Sequence, residues 1–148
     1  MMRLQESIDD QLADTPERIY EYLVRMLPGS LRFNQDVENF MVVLLNVRQR
    51  VIGLEVVSNG ALNQLLVHAR ETFKPAILLG AHAIVLAHNH PSGDPTPSES
   101  DIRITRDLVR AGQTLRIEVL DHIIIGRKND ECPDGFMSLR RLGYLVPT

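Results

Sequence analysis

A single cysteine, Cys132, is all the thiol chemistry the chain holds. No disulfide can form within it, and a reducing, cytoplasmic setting is expected. Cys132 lies in the polar stretch NDECPDG and reads as a bystander rather than a nucleophile or metal ligand. Tryptophan is missing, and three tyrosines and four phenylalanines are too few to interleave with basic residues as a single-strand nucleic-acid surface requires. Basic charge is not in surplus either. Sixteen Lys and Arg against nineteen Asp and Glu leave a net charge of −3, which argues against bulk attraction to DNA. No stretch of eighteen or more apolar residues occurs, and no charged-then-apolar leader, so neither a membrane span nor a secretion signal is expected. Repeats and low-complexity tracts are absent.

What remains is the composition of one compact domain. At 148 residues and 44% hydrophobic content, the chain can bury a sizeable core. Residues 1–14 are polar and acidic and read as a loose arm. Residues 15–148 read as a single domain, with 15–30 an N-terminal helix. Thr15 and Pro16 open that helix, Ile19, Tyr20, Leu23 and Leu27 form its apolar face, and Pro28-Gly29 close it. NFMVVLLN predicts a central strand, residues 47–50 a turn, and RVIGLEVVSNG the second arm of a hairpin. Residues 65–79 look helical, with Pro75 expected to kink or break the helix. AHAIVLAH reads as a buried strand. Residues 116–121 and 122–126 read as two strands or one bent strand, and 136–139 as a last edge. The fold class is therefore α/β, a mixed sheet flanked by helices.

The chemistry concentrates in AHNHPSGDPTPSESD, residues 87–101. His88 and His90 are two apart, so extended backbone points both imidazoles to one side. Pro91, Gly93, Pro95 and Pro97 enforce a stiff loop. Ser98 then opens a helix that Gly112 stops, and Asp101 falls in its first turn, able to face back toward the strand end. Two imidazoles and one carboxylate suit a divalent cation, zinc first. Three protein ligands leave a fourth position for water, the pattern of a catalytic rather than a structural site. Ser98-x-x-Asp101 also resembles a capping box, although that motif normally ends in Glu or Gln. Capping and catalysis both stand open for Ser98.

Glu55 is an acid in the middle of an apolar strand. It is either an outward-facing residue on a half-exposed strand or a carboxylate aimed at the metal-activated water. Spacing alone does not choose between them. His122 is either an outer hydrogen-bond partner of the ligands or a core histidine satisfied by backbone. His68 and His82 have no ligand partner at useful spacing. Arg103, Arg106 and Arg110 share a helix face, but Glu99 and Asp107 sit four residues either side of Arg103, as on a solvated face.

Glu55, His88-x-His90-Pro91 and Ser98-x-x-Asp101 together resemble the JAMM signature of the MPN (JAB) metalloprotease family. With EVVSNG before it and LDHIIIG after it, the string is similar to the RadC-like branch, from about Phe40 to the C-terminus. The resemblance implies an MPN/JAB domain, layered as in cytidine deaminases. It implies zinc on His88, His90 and Asp101, Glu55 as general base and acid, and Ser98 steadying an oxyanion. The implied activity is hydrolysis of a peptide or isopeptide bond, with a protein or peptide as substrate and no membrane partner. The alternatives are a DNA-repair-associated factor and a non-catalytic zinc-binding interaction domain. Two departures stand out. Ala69 occupies a position where the family usually has Pro, which should alter a turn before a helix. RadC-like proteins also often carry an N-terminal helical region, whereas about forty residues precede the matching stretch here. DNA association is therefore not expected of these residues. Substrate identity and oligomeric state are not readable from the sequence.

Overall fold

The sheet is built outward from one strand that is apolar on both sides. Every residue of β2 (Asn39–Leu45, NFMVVLL) is buried, the pattern of a central strand covered on both faces. The computed structural model describes residues 3–4, 11–59 and 69–146. Among these the elements run β1 (Arg3–Leu4), α1 (Pro16–Met26), β2, β3 (Val51–Asn59), α2 (Ala69–Leu79), β4 (Ala83–Asn89), α3 (Glu99–Leu115), β5 (Glu118–Ile125) and β6 (Phe136–Ser138). They form a six-stranded sheet in the order β1-β3-β2-β4-β5-β6. β4 and β5 pair in parallel, and the other neighbours are antiparallel. A mixed sheet with helices on its faces is the expected class.

Alternation along β2 divides the core in two. Met41, Val43 and Leu45 pack with Ile19, Tyr22 and Leu23 of α1. Phe40, Val42 and Leu44 pack with Phe73 and Ala76 of α2 and Leu108 and Val109 of α3. The three helices thus enclose the sheet as a sandwich. Thr15 caps α1 by accepting a hydrogen bond from the Arg18 amide, with Pro16 in the first turn, as its sequence predicts. No helix among the described residues is long and apolar enough to cross a membrane.

Three details differ from the sequence reading. Residues 3–4 and 11–13, expected in a loose arm, are tied to the sheet, Arg3 and Leu4 as the edge strand β1 paired with Leu54 and Gly53 of β3. The Ala13 amide donates to the Gln49 carbonyl at 2.8 Å, the Val51 amide donates to the Gln11 carbonyl at 2.9 Å, and Ala13 is buried. The composition of the segment is polar, but backbone pairing needs no apolar side chains. Second, α2 continues through Pro75. Pro75 is itself buried beside Phe73 and Ala76, so packing against the sheet holds the helix on both sides of the break in its hydrogen bonding. The expected helical residues before Ala69, and His68, lie outside the described residues. Third, α3 runs through Gly112, which was expected to stop it, to Leu115, and Arg116 is its left-handed C-cap (φ 60°) rather than the start of a strand; β5 is one continuous strand. The Ile117 amide closes the helix end on the Gly112 carbonyl.

Candidate metal centre

His88 is the sixth residue of a wholly buried strand, and it emerges at the C-terminal end of β4, where β4 runs parallel to β5. Ligand crevices of α/β sheets form at such strand ends. It shares a sheet face with Phe40, its cross-strand partner on β2. His90 follows on that face because its amide still pairs with the Ile125 carbonyl at 2.9 Å, prolonging the extended backbone past β4. The proline-rich loop then turns the chain back. Its Asp94 carbonyl accepts a hydrogen bond from His90 Nδ1 at 2.7 Å.

Ser98 caps α3 and forms a capping box with Asp101. The Asp101 amide donates to Ser98 Oγ at 3.0 Å, and the Ser98 amide donates to Asp101 Oδ2 at 2.9 Å. Aspartate closes the box despite the usual preference for longer acids. The same carboxylate reaches the histidines. His88 Nε2 lies 3.0 Å from His90 Nε2, Asp101 Oδ1 lies 3.3 Å from His88 Nε2, and Asp101 Oδ2 lies 3.2 Å from His90 Nε2. Burial alone would raise the Asp101 pKa, but the two imidazoles and the Ser98 amide outweigh it and hold the carboxyl far below its ordinary range. Burial likewise opposes charge on His90, yet the contacts to Asp101 and the Asp94 carbonyl leave its pKa raised.

These three residues fit a tetrahedral divalent ion. Protein N and O ligands bound at about 2.0–2.1 Å stand about 3.3 Å apart on a tetrahedron, close to the separations found. His90 Nδ1 faces a carbonyl and carries a hydrogen, so the neutral ring that a metal needs would present its Nε2 lone pair to the cluster. Two imidazole nitrogens and a carboxylate at this range are a donor set that suits a divalent cation.

Sequence reasoning missed Glu38. The β2–β4 ladder pairs Phe40 with His88, and continuing that register sets Glu38 across from His90. Ligand atoms of Glu38, His88 and His90 all lie within 4.8 Å of one another. The register is fixed from behind. Asn39 Nδ2 and its amide both donate to Asn89 Oδ1, at 3.0 and 2.8 Å, and Asn89 Nδ2 donates to the Val37 carbonyl at 2.9 Å. Asn39 and Asn89 are both buried, on the α1 side of the sheet. The visible signal was an acid two residues ahead of an apolar strand, but its partners lie fifty residues away.

Glu55 stands elsewhere. It pairs with Val42, which in turn pairs with Leu86. That sets it on the same face as His88 but two strands out, about 10 Å across the sheet, and two residues short along it. Its carboxylate faces Arg32, at 3.6 Å from Nη1. His122 is buried between the ligand strand and α3, with Nε2 2.7 Å from His88 Nδ1 and Nδ1 2.5 Å from Thr105 Oγ1. Burial lowers its pKa well below the ordinary value. His82 is exposed and apart from the cluster. On the outer face of α3, Arg110 pairs with Asp107 at 3.1 Å and Arg106 lies over the Tyr144 ring.

The loop that carries the Asp94 carbonyl is held by a close backbone approach. A Cβ on Gly126 would meet the Gly93 carbonyl oxygen at 2.4 Å and Pro95 Cδ at 2.7 Å. Gly126→Ala should therefore cost about 1–3 kcal/mol, read as a lower denaturant midpoint with an unchanged slope. Wild-type stability in that variant would mean that the loop does not press on Gly126.

Comparison with known proteins gives the family. The family model of the RadC-like JAB domain matches residues 13–144. A UPF0758 protein of Symbiobacterium thermophilum is 47% identical over 131 residues, covering 88% of this chain and 51% of the relative. A UPF0758 protein of Caldanaerobacter subterraneus is 47% identical over 125 residues, 84% of this chain and 50% of that one. The one from Moorella thermoacetica is 60% identical over 91 residues, 62% and 40% of the two chains. The chain thus spans about half the length, or less, of these curated relatives. With its match running nearly end to end, the chain belongs to the RadC-like JAB domain family.

Proposed function

We propose that this domain is a zinc-dependent hydrolase of peptide or isopeptide bonds, with Glu38 as its acid–base residue. One observation carries the reading. Two imidazole nitrogens and a carboxylate converge at 3.0–3.3 Å, with a second, partly buried carboxylate facing them from the neighbouring strand. His88, His90 and Asp101 would hold the ion. Zinc there would polarise a carbonyl and lower the pKa of water toward ~7.

Glu38 suits proton transfer better than Glu55. It faces the histidine pair across the β2–β4 ladder, at a range that one water can bridge. Glu55 faces Arg32 instead. In the proposed cycle Glu38 takes the proton of the attacking water and delivers it to the departing amine. Ser98 Oγ spends a lone pair on the helix cap, which leaves its O–H to donate to the substrate oxygen as that oxygen gains charge. Ser98 is exposed, so a substrate can reach it. A protein or peptide is the substrate class that this chemistry serves.

The test is metal analysis joined to a peptidase assay. Purified protein should hold about one zinc per chain. Chelation should abolish cleavage of a peptide or isopeptide substrate pool, and added zinc should restore it. Protein that takes up no zinc would remove the proposal.

A further inference from the structure

The buried chain from α3 to His88 has a single consistent direction, and that direction decides whether His88 can bind metal. Thr105 Oγ1 lies 2.7 Å from the Asp101 carbonyl and 2.5 Å from His122 Nδ1. A hydroxyl has one hydrogen. The carbonyl can only accept, so that hydrogen goes to Asp101, one turn back along the helix. The hydroxyl oxygen must then accept, and His122 Nδ1 must carry a hydrogen. His122 is fully enclosed, and its contacts are to a hydroxyl and an imidazole rather than a carboxylate, so the neutral ring is favoured. Its Nε2 therefore holds a lone pair. That lone pair faces His88 Nδ1 at 2.7 Å, which must donate. His88 is left with its Nε2 lone pair facing His90 and Asp101.

We propose that Thr105 and His122 are positioning residues that fix His88 in its metal-binding tautomer. The circuit begins at the backbone of one ligand, Asp101, and ends at the ring of another, His88. It ties α3, β5 and β4 together around the site. The inference rests on the metal reading above for its consequence, but its hydrogen placement does not need metal. Replacing Thr105 by Val removes both the donor to Asp101 and the acceptor for His122. His122 then gains by holding its hydrogen on Nε2 and donating to His88 Nδ1, which drives the His88 hydrogen onto the coordinating nitrogen.

The experiment has two readouts on the full chain. Nitrogen-15 NMR of zinc-free wild-type protein should find His88 and His122 both protonated at Nδ1. Thr105→Val should shift His88 toward the Nε2-protonated form. Chelator competition should find zinc affinity about 10–100-fold weaker in Thr105→Val and His122→Phe, with Thr105→Ser restoring it. An Nε2-protonated His88 in wild type overturns the proposal, even if neither variant folds. So does wild-type zinc affinity in Thr105→Val. If wild-type protein shows these tautomers but binds no zinc, the hydrogen placement stands and the metal reading falls.

Discussion

Glu38→Gln should keep its zinc and lose turnover by about 10²–10⁴-fold, the usual worth of a positioned acid–base group. Gln preserves size and hydrogen bonding but cannot take a proton. The ligand trio is untouched, so metal content should stay near one per chain. Glu55→Gln is the matched control. Its carboxylate sits about 10 Å across the sheet and faces the exposed Arg32 side chain, so that variant should retain both zinc and activity. Weakening one partly exposed ion pair should move stability by no more than about 1 kcal/mol. The two variants separate the readings cleanly. If Glu55→Gln is dead and Glu38→Gln is active, the base lies on β3, and the β2–β4 register has been given a role it does not have.

Asp101→Ala carries the second large effect, because one carboxylate serves two structures. It completes the trio with His88 and His90, and it accepts the Ser98 amide at the start of α3. Losing a direct ligand should weaken zinc by more than the roughly 10–100-fold that outer partners cost. Losing its half of the capping box should cost stability of about 1 kcal/mol. Ser98→Ala divides the two. It removes the Oγ that accepts from the Asp101 amide but leaves the carboxylate in reach of both imidazoles. That variant should melt lower yet still bind zinc. Zinc content and thermal unfolding of both proteins, side by side, decide the matter. Full zinc in Asp101→Ala would mean the ion is held by another set.

The elements were legible because each is locally overdetermined. α1 carries Thr15, Pro16 and an apolar stripe, and β2 is apolar throughout. The convergence of His88, His90 and Asp101 was legible for a related reason. All three fall within fourteen residues, and period-two spacing plus a helix cap were enough to aim them at one point. Glu38 was not legible, because its place depends on which residue of β2 stands opposite which residue of β4. Ladder register is a tertiary property, set here by the buried Asn39–Asn89 pair, and neither asparagine announces its partner. Glu55 drew attention for the opposite reason. An acid among valines is locally conspicuous, and its partner Arg32 lies 23 positions earlier in a loop. The tethering of residues 11–13 was not legible because its pairing to the sheet runs through main-chain groups, which every residue type carries.

The asparagine clasp lies on the far side of the sheet from the imidazoles. The spacing of Glu38 from the imidazoles is consequently held from the rear, by buried amides that take no place among the converging side chains themselves.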